Sequence, residues 1–430
     1  PAVCGSICRK YCEDACTRGS VDEPLSIDEI KKFIAEQDMK DEHRYIPPMN
    51  SCTMAPFEQK IAIIGAGPAG MSCAYFLAIE GYKPTVFEKE AAPGGMLVNG
   101  IPNFRVDKAT VNSEIDVLRE MGVEFRCGVE VGKDVTIQQL REEGYKAFYV
   151  AVGLQTASKL GIEGEDLKGV TGGLDLLRAV NRGELTELKG DTIVIGGGNA
   201  AIDVARTAVR LGEGSVSIYC LEKDEEMPTV PDEKNAGIAD GVVINNCWGP
   251  KRIIGKNGKV TGVEFMRCTS VRDASGKFAP KYDENDTVTV KCSNVLVAIG
   301  QRSDYGSVLA GTKAETPDGR LIDCDKLTFQ TAEPDIFVGG DCATGPMYTI
   351  DAIATARYVN VGQSLTIHRN RRIFKELDKG SVALPPESFK KPARNEPAID
   401  PAKVKTMSDE RVTFTEEQIK SEASRCLSCG

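Results

Sequence analysis

One stretch constrains the fold more than any other: "KIAIIGAGPAGMSCAYFLAIEGYKPTVFEKE". A short apolar strand, "IAIIG", runs into Gly65, Gly67 and Gly70 at G-x-G-x-x-G spacing. "AGMSCAYFLAIEG" then reads as a helix closed by Gly81, and "PTVFE" as a second strand ending on Glu88. Gly65 permits the tight turn, Gly67 lets backbone approach a pyrophosphate, and Gly70 lets the helix pack on the strand. The helix N-terminus turns free N–H groups toward phosphate. Glu88 can accept a hydrogen bond from a ribose hydroxyl.

The unit recurs. "DTIVIGGGNAAIDVARTAVRLGEGSVSIYCLEKDEE" has a strand, then Gly196, Gly198 and Ala201 as G-x-G-x-x-A, with Asn199 opening the helix and a second strand ending near Tyr219. Two such units in one chain imply two dinucleotides. The simplest pairing is a flavin with a nicotinamide, set for hydride transfer.

The length of 430 residues predicts two or three domains. A net charge of −10 argues against a nucleic-acid surface and against a polybasic membrane patch. No apolar run approaches the roughly 18 residues of a spanning helix, and no secretory core is evident. The 15 cysteines are too scattered for a disulfide framework, so a reducing cytoplasm is expected. Cys73, Cys127, Cys247, Cys268 and Cys292 read as small buried apolar residues.

The cysteines at the start are different. "PAVCGSICRKYCEDAC" places Cys4, Cys8, Cys12 and Cys16 at every fourth residue. On a straight helix Cys4 and Cys16 would stand about 18 Å apart, too far for one metal centre. Gly5 and "CTRGSVDEP" permit a bend; otherwise the thiols divide between two centres. Zinc remains an alternative, although structural zinc sites favour C-x2-C pairs. A second group, Cys426 and Cys429, lies in "RCLSCG".

The combination of "CGSICRKYCEDACTRGSVDEP", "IGAGPAG", "PGGMLVNGIPNFR", "IGGGNAAIDVARTA", "AIGQRSD" and "FVGGDCATGP" resembles one family over nearly the whole chain. That family includes the small (beta) subunit of glutamate synthase, the large subunit of NADH-dependent ferredoxin:NADP oxidoreductase and the amino-terminal half of dihydropyrimidine dehydrogenase. The resemblance implies an α/β fold with two Rossmann-like domains. A discontinuous FAD domain would cover 56–165 and 298–372, with a nicotinamide domain, 166–297, inserted into it. Residues 1–55 would be a small helical iron–sulfur region, in which Ser26 and Glu29 form a capping box. Residues 373–430 would be a charged, partly helical tail ending in the C-x-x-C half-motif.

By the same resemblance, Gly94, Gly95 and Met96 lie along the flavin. Ala151 and Gly153 mark where the chain leaves the FAD domain and Gly300 where it returns; Gly340 and Asp341 sit on the FAD. The helix "YTIDAIATARYVN" would aim its N-terminus at the flavin's pyrimidine edge, favouring the anionic reduced form. Cys8, Cys12 and Cys16 match iron–sulfur ligand positions, and Cys4 matches a cysteine that need not be a ligand. At the place of a further Glu or Gln ligand this chain has Lys31. One [4Fe–4S] cluster on the Cys4–Cys16 row is therefore expected, with Cys426 and Cys429 serving a further centre.

No C-x-x-C pair stands beside the flavin, and the chain has only two histidines, His43 and His368. No catalytic side chain is assigned. The expected function is oxidation of NAD(P)H at FAD, with electrons passing through iron–sulfur centres to another subunit of a larger complex or to ferredoxin. The alternatives are a free-standing FAD-dependent NAD(P)H reductase of a small acceptor and a glutamate synthase small subunit feeding a large amidotransferase subunit. In "YCLEKDEEMP", Cys220 and Leu221 stand where arginines would clamp a 2′-phosphate, and Glu222 follows. A carboxylate there suits the ribose of NADH, so NAD(H) is expected over NADP(H).

Overall fold

In the computed structural model, residues 1–49, 57–358 and 391–428 are described. Two five-stranded parallel sheets form the frame. The first runs Ile336–Val338, Tyr145–Val150, Lys60–Ile64, Thr85–Glu88, Glu124–Cys127. The second runs Val170–Gly172, Asn294–Val297, Thr192–Ile195, Val216–Tyr219, Val243–Asn245. Their central strands are continuous apolar runs buried on both faces, as parallel strands covered by helices must be. The first sheet takes its edge strand, Ile336–Val338, from beyond all of the second. The second sheet thus lies, in chain order, between the strands of the first.

Each glycine turn leads into a helix laid on its sheet. Pro68–Ile79 starts with proline at its first position, where the missing N–H costs nothing, and buries Ala69, Cys73, Ala74 and Leu77. Asn199–Leu211 buries Ala201, Ile202, Val204, Ala205 and Ala208 against the second sheet. A three-stranded antiparallel sheet, Trp248–Lys256, Lys259–Arg272 and Phe278–Lys291, backs the second unit. Phe265 stacks on Tyr219 with ring centroids 4.2 Å apart, fixing this sheet beside the strand end at Cys220.

The N-terminal region is helical, comprising Ala2–Ile7, Tyr11–Asp14, the 3-10 turn Thr17–Ser20 and Ile27–Lys40. It is stitched to residues 394–426 through buried charge. Arg394 meets Glu13 at 2.9 Å, Lys32 meets Asp409 at 2.8 Å and Arg411 meets Glu29 at 3.2 Å. The expected Ser26–Glu29 capping box does not form. The Ser26 hydroxyl instead donates to the Asn395 carbonyl at 2.7 Å, and the Asp28 N–H donates to Glu13 at 2.8 Å. Long-range partners have replaced the local ones.

The [4Fe–4S] expectation is corrected here. Among the described residues, no group of three or more His, Cys, Asp or Glu side chains is arranged to hold a metal ion. The row of thiols breaks at Lys10, which takes a left-handed φ of 64°. Cys4 therefore lies in one helix, Cys12 in the next and Cys16 ahead of the 3-10 turn. The Lys31 ammonium, 2.9 Å from Asp28, lies within electrostatic reach of Cys8 and Cys12. Burial pushes the Cys4 thiol up, whereas Cys12 is exposed. Cys426 Sγ accepts from the Ser428 N–H at 3.4 Å, and Cys429 lies outside the described residues. Among the described residues the N-terminal helices form a clasp for the C-terminal segment. No helix among the described residues is long and apolar enough to cross a membrane.

Candidate active site

A cleft of about 1780 Å³ lies between the two units and takes both glycine turns into its lining. The two turns are built alike. Gly65, at φ 103°, leaves no room for a side chain: a Cβ would stand 2.5 Å from the Ala151 carbonyl oxygen. Gly196, at φ 142°, meets the Ala298 carbonyl in the same way at 2.3 Å. Gly70 and Ala201 lie behind their turns, outside the lining. A Cβ on Gly70 would fall 1.9 Å from the Gly65 oxygen, whereas Ala201 is fully buried in the second core. At Gly67 a Cβ would meet nothing nearer than Gly95 Cα at 4.0 Å, and at Gly198 nothing at all. These open positions at the helix N-termini are the cradle a pyrophosphate requires.

Glu88 is buried at the end of its strand. Its two oxygens accept from the Ala66 N–H at 2.8 Å and the Glu90 N–H at 2.9 Å. Burial pushes the carboxyl up, while those two bonds favour the charged form. Gly94 and Gly95 take φ of 130° and 54°, and the Gly94 N–H donates to the Ala66 carbonyl at 2.9 Å. This second loop therefore closes directly on the first turn and carries Met96 to the cleft wall. Lys108 fastens it from behind, donating to the Leu97 carbonyl at 2.9 Å, and burial lowers this ammonium to about 8.

Ala151, Gly153 and Gly300 line the cleft where the chain crosses between units, at the short pairing of Thr156–Ala157 with Gln301–Arg302. Gly340, at φ 68°, brings Asp341 over the start of helix Pro68–Ile79; a Cβ there would stand 2.9 Å from Ala69 Cβ. Burial pushes the Asp341 carboxyl up to about 6. The helix Thr349–Tyr358 begins at the same wall; Val359 and Asn360, the last residues of the expected helix, lie outside the described residues.

In the second unit Asn199 turns away from the cradle. Its side-chain oxygen accepts from the Thr229 hydroxyl at 2.7 Å and the Val230 N–H at 2.9 Å, fastening the following loop. Glu222 bends over the glycine turn, 2.7 Å from where a Cβ on Gly197 would stand. Of the cysteine row only Cys8 reaches the cleft wall.

Three arginines of the cleft carry no signal of their own in the sequence. Arg105 stands there only as part of a motif, because its partners Asp203 and Glu233 lie far along the chain. Arg394 and Arg411 line the cleft from the C-terminal segment, and no pattern in the chain points to them.

Residues 59–356 match the family described as pyridine nucleotide-disulphide oxidoreductase. The chain belongs to that family. As a pyridine nucleotide-disulphide oxidoreductase family member it is an FAD-dependent NAD(P)H oxidoreductase. It is 30% identical to the NADPH-Fe(3+) oxidoreductase subunit beta of Geobacter sulfurreducens, over 100% of this chain and 69% of that one. It is 35% identical to the NADP(+)-dependent formate dehydrogenase subunit beta of Moorella thermoacetica, over 82% of this chain but 52% of the relative, about half its length. The glutamate synthase [NADPH] small chain of Escherichia coli is 32% identical over 83% of this chain and 78% of its own. Mycobacterium tuberculosis FprA in complex with NADPH has the same fold, with a TM-score of 0.59 at 21% identity over 71% of this chain and 84% of its own.

The preference for NADH is corrected by these comparisons. The three relatives are named for NADPH or NADP(+), and the FprA structure holds NADPH. The acids at that strand end therefore do not decide the coenzyme. The Trp248 N–H donates to the Cys220 carbonyl at 2.8 Å there, and Arg267, stacked on Trp248 at 3.8 Å, is itself paired with Asp286 at 3.0 Å.

Proposed function

We propose that the chain is an FAD-dependent NADPH reductase acting as the flavin subunit of a larger redox assembly. One observation carries the reading: two glycine cradles of the same construction line one cleft. Among the described residues, 57–165 and 298–358 make up the flavin half, and 166–297 the coenzyme half. FAD, when bound, supplies a two-electron acceptor able to release electrons singly or in pairs.

The chain's own residues hold and orient. Gly65 and Gly67 would seat the flavin's pyrophosphate on the helix N-terminus, with Gly70 packing the helix behind the turn, and Glu88 would accept from its adenosine ribose. Gly94, Gly95 and Met96 would hold the ring system, with Ala151, Gly153, Gly300, Gly340 and Asp341 completing the flavin's part of the site. Gly196 and Gly198 would seat the coenzyme's pyrophosphate, with Ala201 packing that helix from behind, Asn199 steadying the loop beside it and Glu222 accepting from the ribose. No side chain is assigned a proton.

The acceptor is a partner subunit, a reading supported by relatives named as beta subunits and small chains. The cleft volume of about 1780 Å³ favours a second reading, direct reduction of a small acceptor. Purified protein is tested for flavin content and then for anaerobic flavin reduction by NADPH and by NADH. The reading expects one FAD per chain and faster reduction by NADPH. Protein that binds no FAD, or whose FAD neither coenzyme reduces, would refute it. Rapid steady turnover with a small quinone and no partner would favour the second reading.

A further inference from the structure

The loop after helix Met96–Asn99 leaves the flavin half and enters the coenzyme half. Its tip, Phe104-Arg105, is gripped there on two sides. Arg105 Nη1 donates to both oxygens of Asp203, at 3.1 and 2.9 Å, on helix Asn199–Leu211. Its other nitrogen, Nη2, pairs with Glu233 on helix Pro231–Ala239. A forked guanidinium is suited to two carboxylates on different helices. Phe104 is buried beneath two cations of the same helix, with Arg206 4.8 Å and Arg210 4.1 Å from its ring centre. Those cations are fixed in turn by Asp240, at 2.6 and 2.5 Å, and Arg206 reaches Glu410 at 2.9 Å.

Location gives this grip its meaning. Helix Asn199–Leu211 starts at the second glycine turn, so holding it holds the coenzyme cradle. The loop Gly94–Arg105 starts at the wall assigned to the flavin ring. The other ion pair crossing in this region, Arg182 with Glu90 at 2.7 Å, is about one-third exposed at both ends and holds weakly. Hydride transfer requires the reacting atoms about 3–3.5 Å apart, and a misplacement of about 1 Å costs roughly 100-fold in rate.

We infer that Arg105, with Asp203 and Glu233, is a positioning element that sets the register of the coenzyme cradle against the flavin wall. The inference rests on the two-dinucleotide reading above. It concerns how the halves are aligned, not what each half binds.

Arg105→Gln, Arg105→Lys and Asp203→Asn are compared with the unaltered protein in anaerobic stopped-flow reduction by NADPH. The long-wavelength charge-transfer absorbance, which reports nicotinamide–flavin stacking, is followed in the same experiment. Arg105→Gln is expected to lower the limiting reduction rate at least 10-fold and to weaken the charge-transfer band. Its FAD content, and the NADPH concentration giving half the limiting rate, should stay within about 2-fold. Arg105→Lys, which keeps the charge but loses the fork, should lie between. Asp203→Asn leaves Arg105 its Glu233 partner and should show the same rate-specific loss to a smaller degree.

Equal rates and bands in all four proteins would overturn the inference. So would a rate loss that merely follows loss of FAD or weaker NADPH binding. If the unaltered protein is not reduced by NADPH, the functional reading itself fails; if it is reduced and Arg105→Gln is equally fast, only this inference fails.

Discussion

Replacing Arg425 by Gln removes the centre of the clasp between the two ends of the described chain. The Arg425 side chain is 1% exposed and that of Glu422 is fully buried. Arg425 Nη1 donates to Glu422 at 2.6 Å, and Nη2 donates to Asp22 at 3.2 Å and to the Glu23 carbonyl at 2.8 Å. Breaking a buried pair by removing one partner costs about 3–5 kcal/mol, because the other charge is left buried. Here the lower end applies. Glu422 keeps N–H donors from Ser26 at 3.0 Å and Asn395 at 2.8 Å, and Asp22 keeps Arg18. A loss of about 3 kcal/mol raises the open fraction of the segment roughly 150-fold.

Hydrogen exchange resolved by segment is the assay. Exchange in helix Glu416–Ser424 should accelerate about 100-fold, while strand Lys60–Ile64 keeps its protection and FAD is retained. The double variant Arg425→Gln/Glu422→Gln removes both charges and should recover part of the loss. Unchanged exchange in 416–424, or equal acceleration in the first sheet, would show that the buried pair does not anchor the segment separately.

Gly70→Ala places a methyl 1.9 Å from the Gly65 oxygen, so helix Pro68–Ile79 must back away from the turn; overpacking of this kind costs about 1–3 kcal/mol. Purified variant should carry little flavin, and full flavin occupancy would refute the steric argument. Glu88→Gln keeps the shape but weakens the acceptor of the Ala66 and Glu90 N–H groups and of the ribose; FAD affinity by calorimetry should fall about 10- to 100-fold, the worth of a charge-assisted bond. Asp341, pushed up to about 6 by burial, is costly to ionise in the flavin-free protein. The penalty is absent below the ordinary carboxylate pKa of about 4, grows as pH rises and is complete above 6. Asp341→Asn should therefore raise the melting temperature of flavin-free protein at pH 8 and leave it unchanged near pH 3.5; an equal gain at both would contradict the assignment.

What could be read from the chain was what sterics dictate locally. Gly65 and Gly196 each stand where a carbonyl leaves no room for a Cβ, and that demand is written as glycine. The buried parallel strands are written as apolar runs. Convergence is not written anywhere. Four cysteines at a spacing of four look like ligands until Lys10 turns the backbone left-handed between them. Ser26 looks like a helix cap until Asn395, far along the chain, takes its hydroxyl. The first two misreadings weighed neighbours in sequence where neighbours in space decided. The acids after Tyr219 look decisive for the coenzyme, and it is the relatives named for NADPH or NADP(+) that overturn that reading.

The nesting of the two sheets also sets a timetable for synthesis. Strand Tyr145–Val150 waits for its edge partner, Ile336–Val338, until the whole inserted unit has been made. At about 5–20 residues per second, the roughly 190 intervening residues take on the order of 10–40 s. During that interval the strand has an open hydrogen-bonding edge, the kind that captures stray strands in a crowded cell. The inserted unit, whose last strand ends at Val297, can close before the outer unit does. Asp341 emerges later still, so on the proposed reading flavin capture would come at the end of assembly, and a shortage of flavin would leave behind a chain whose inserted unit is already folded.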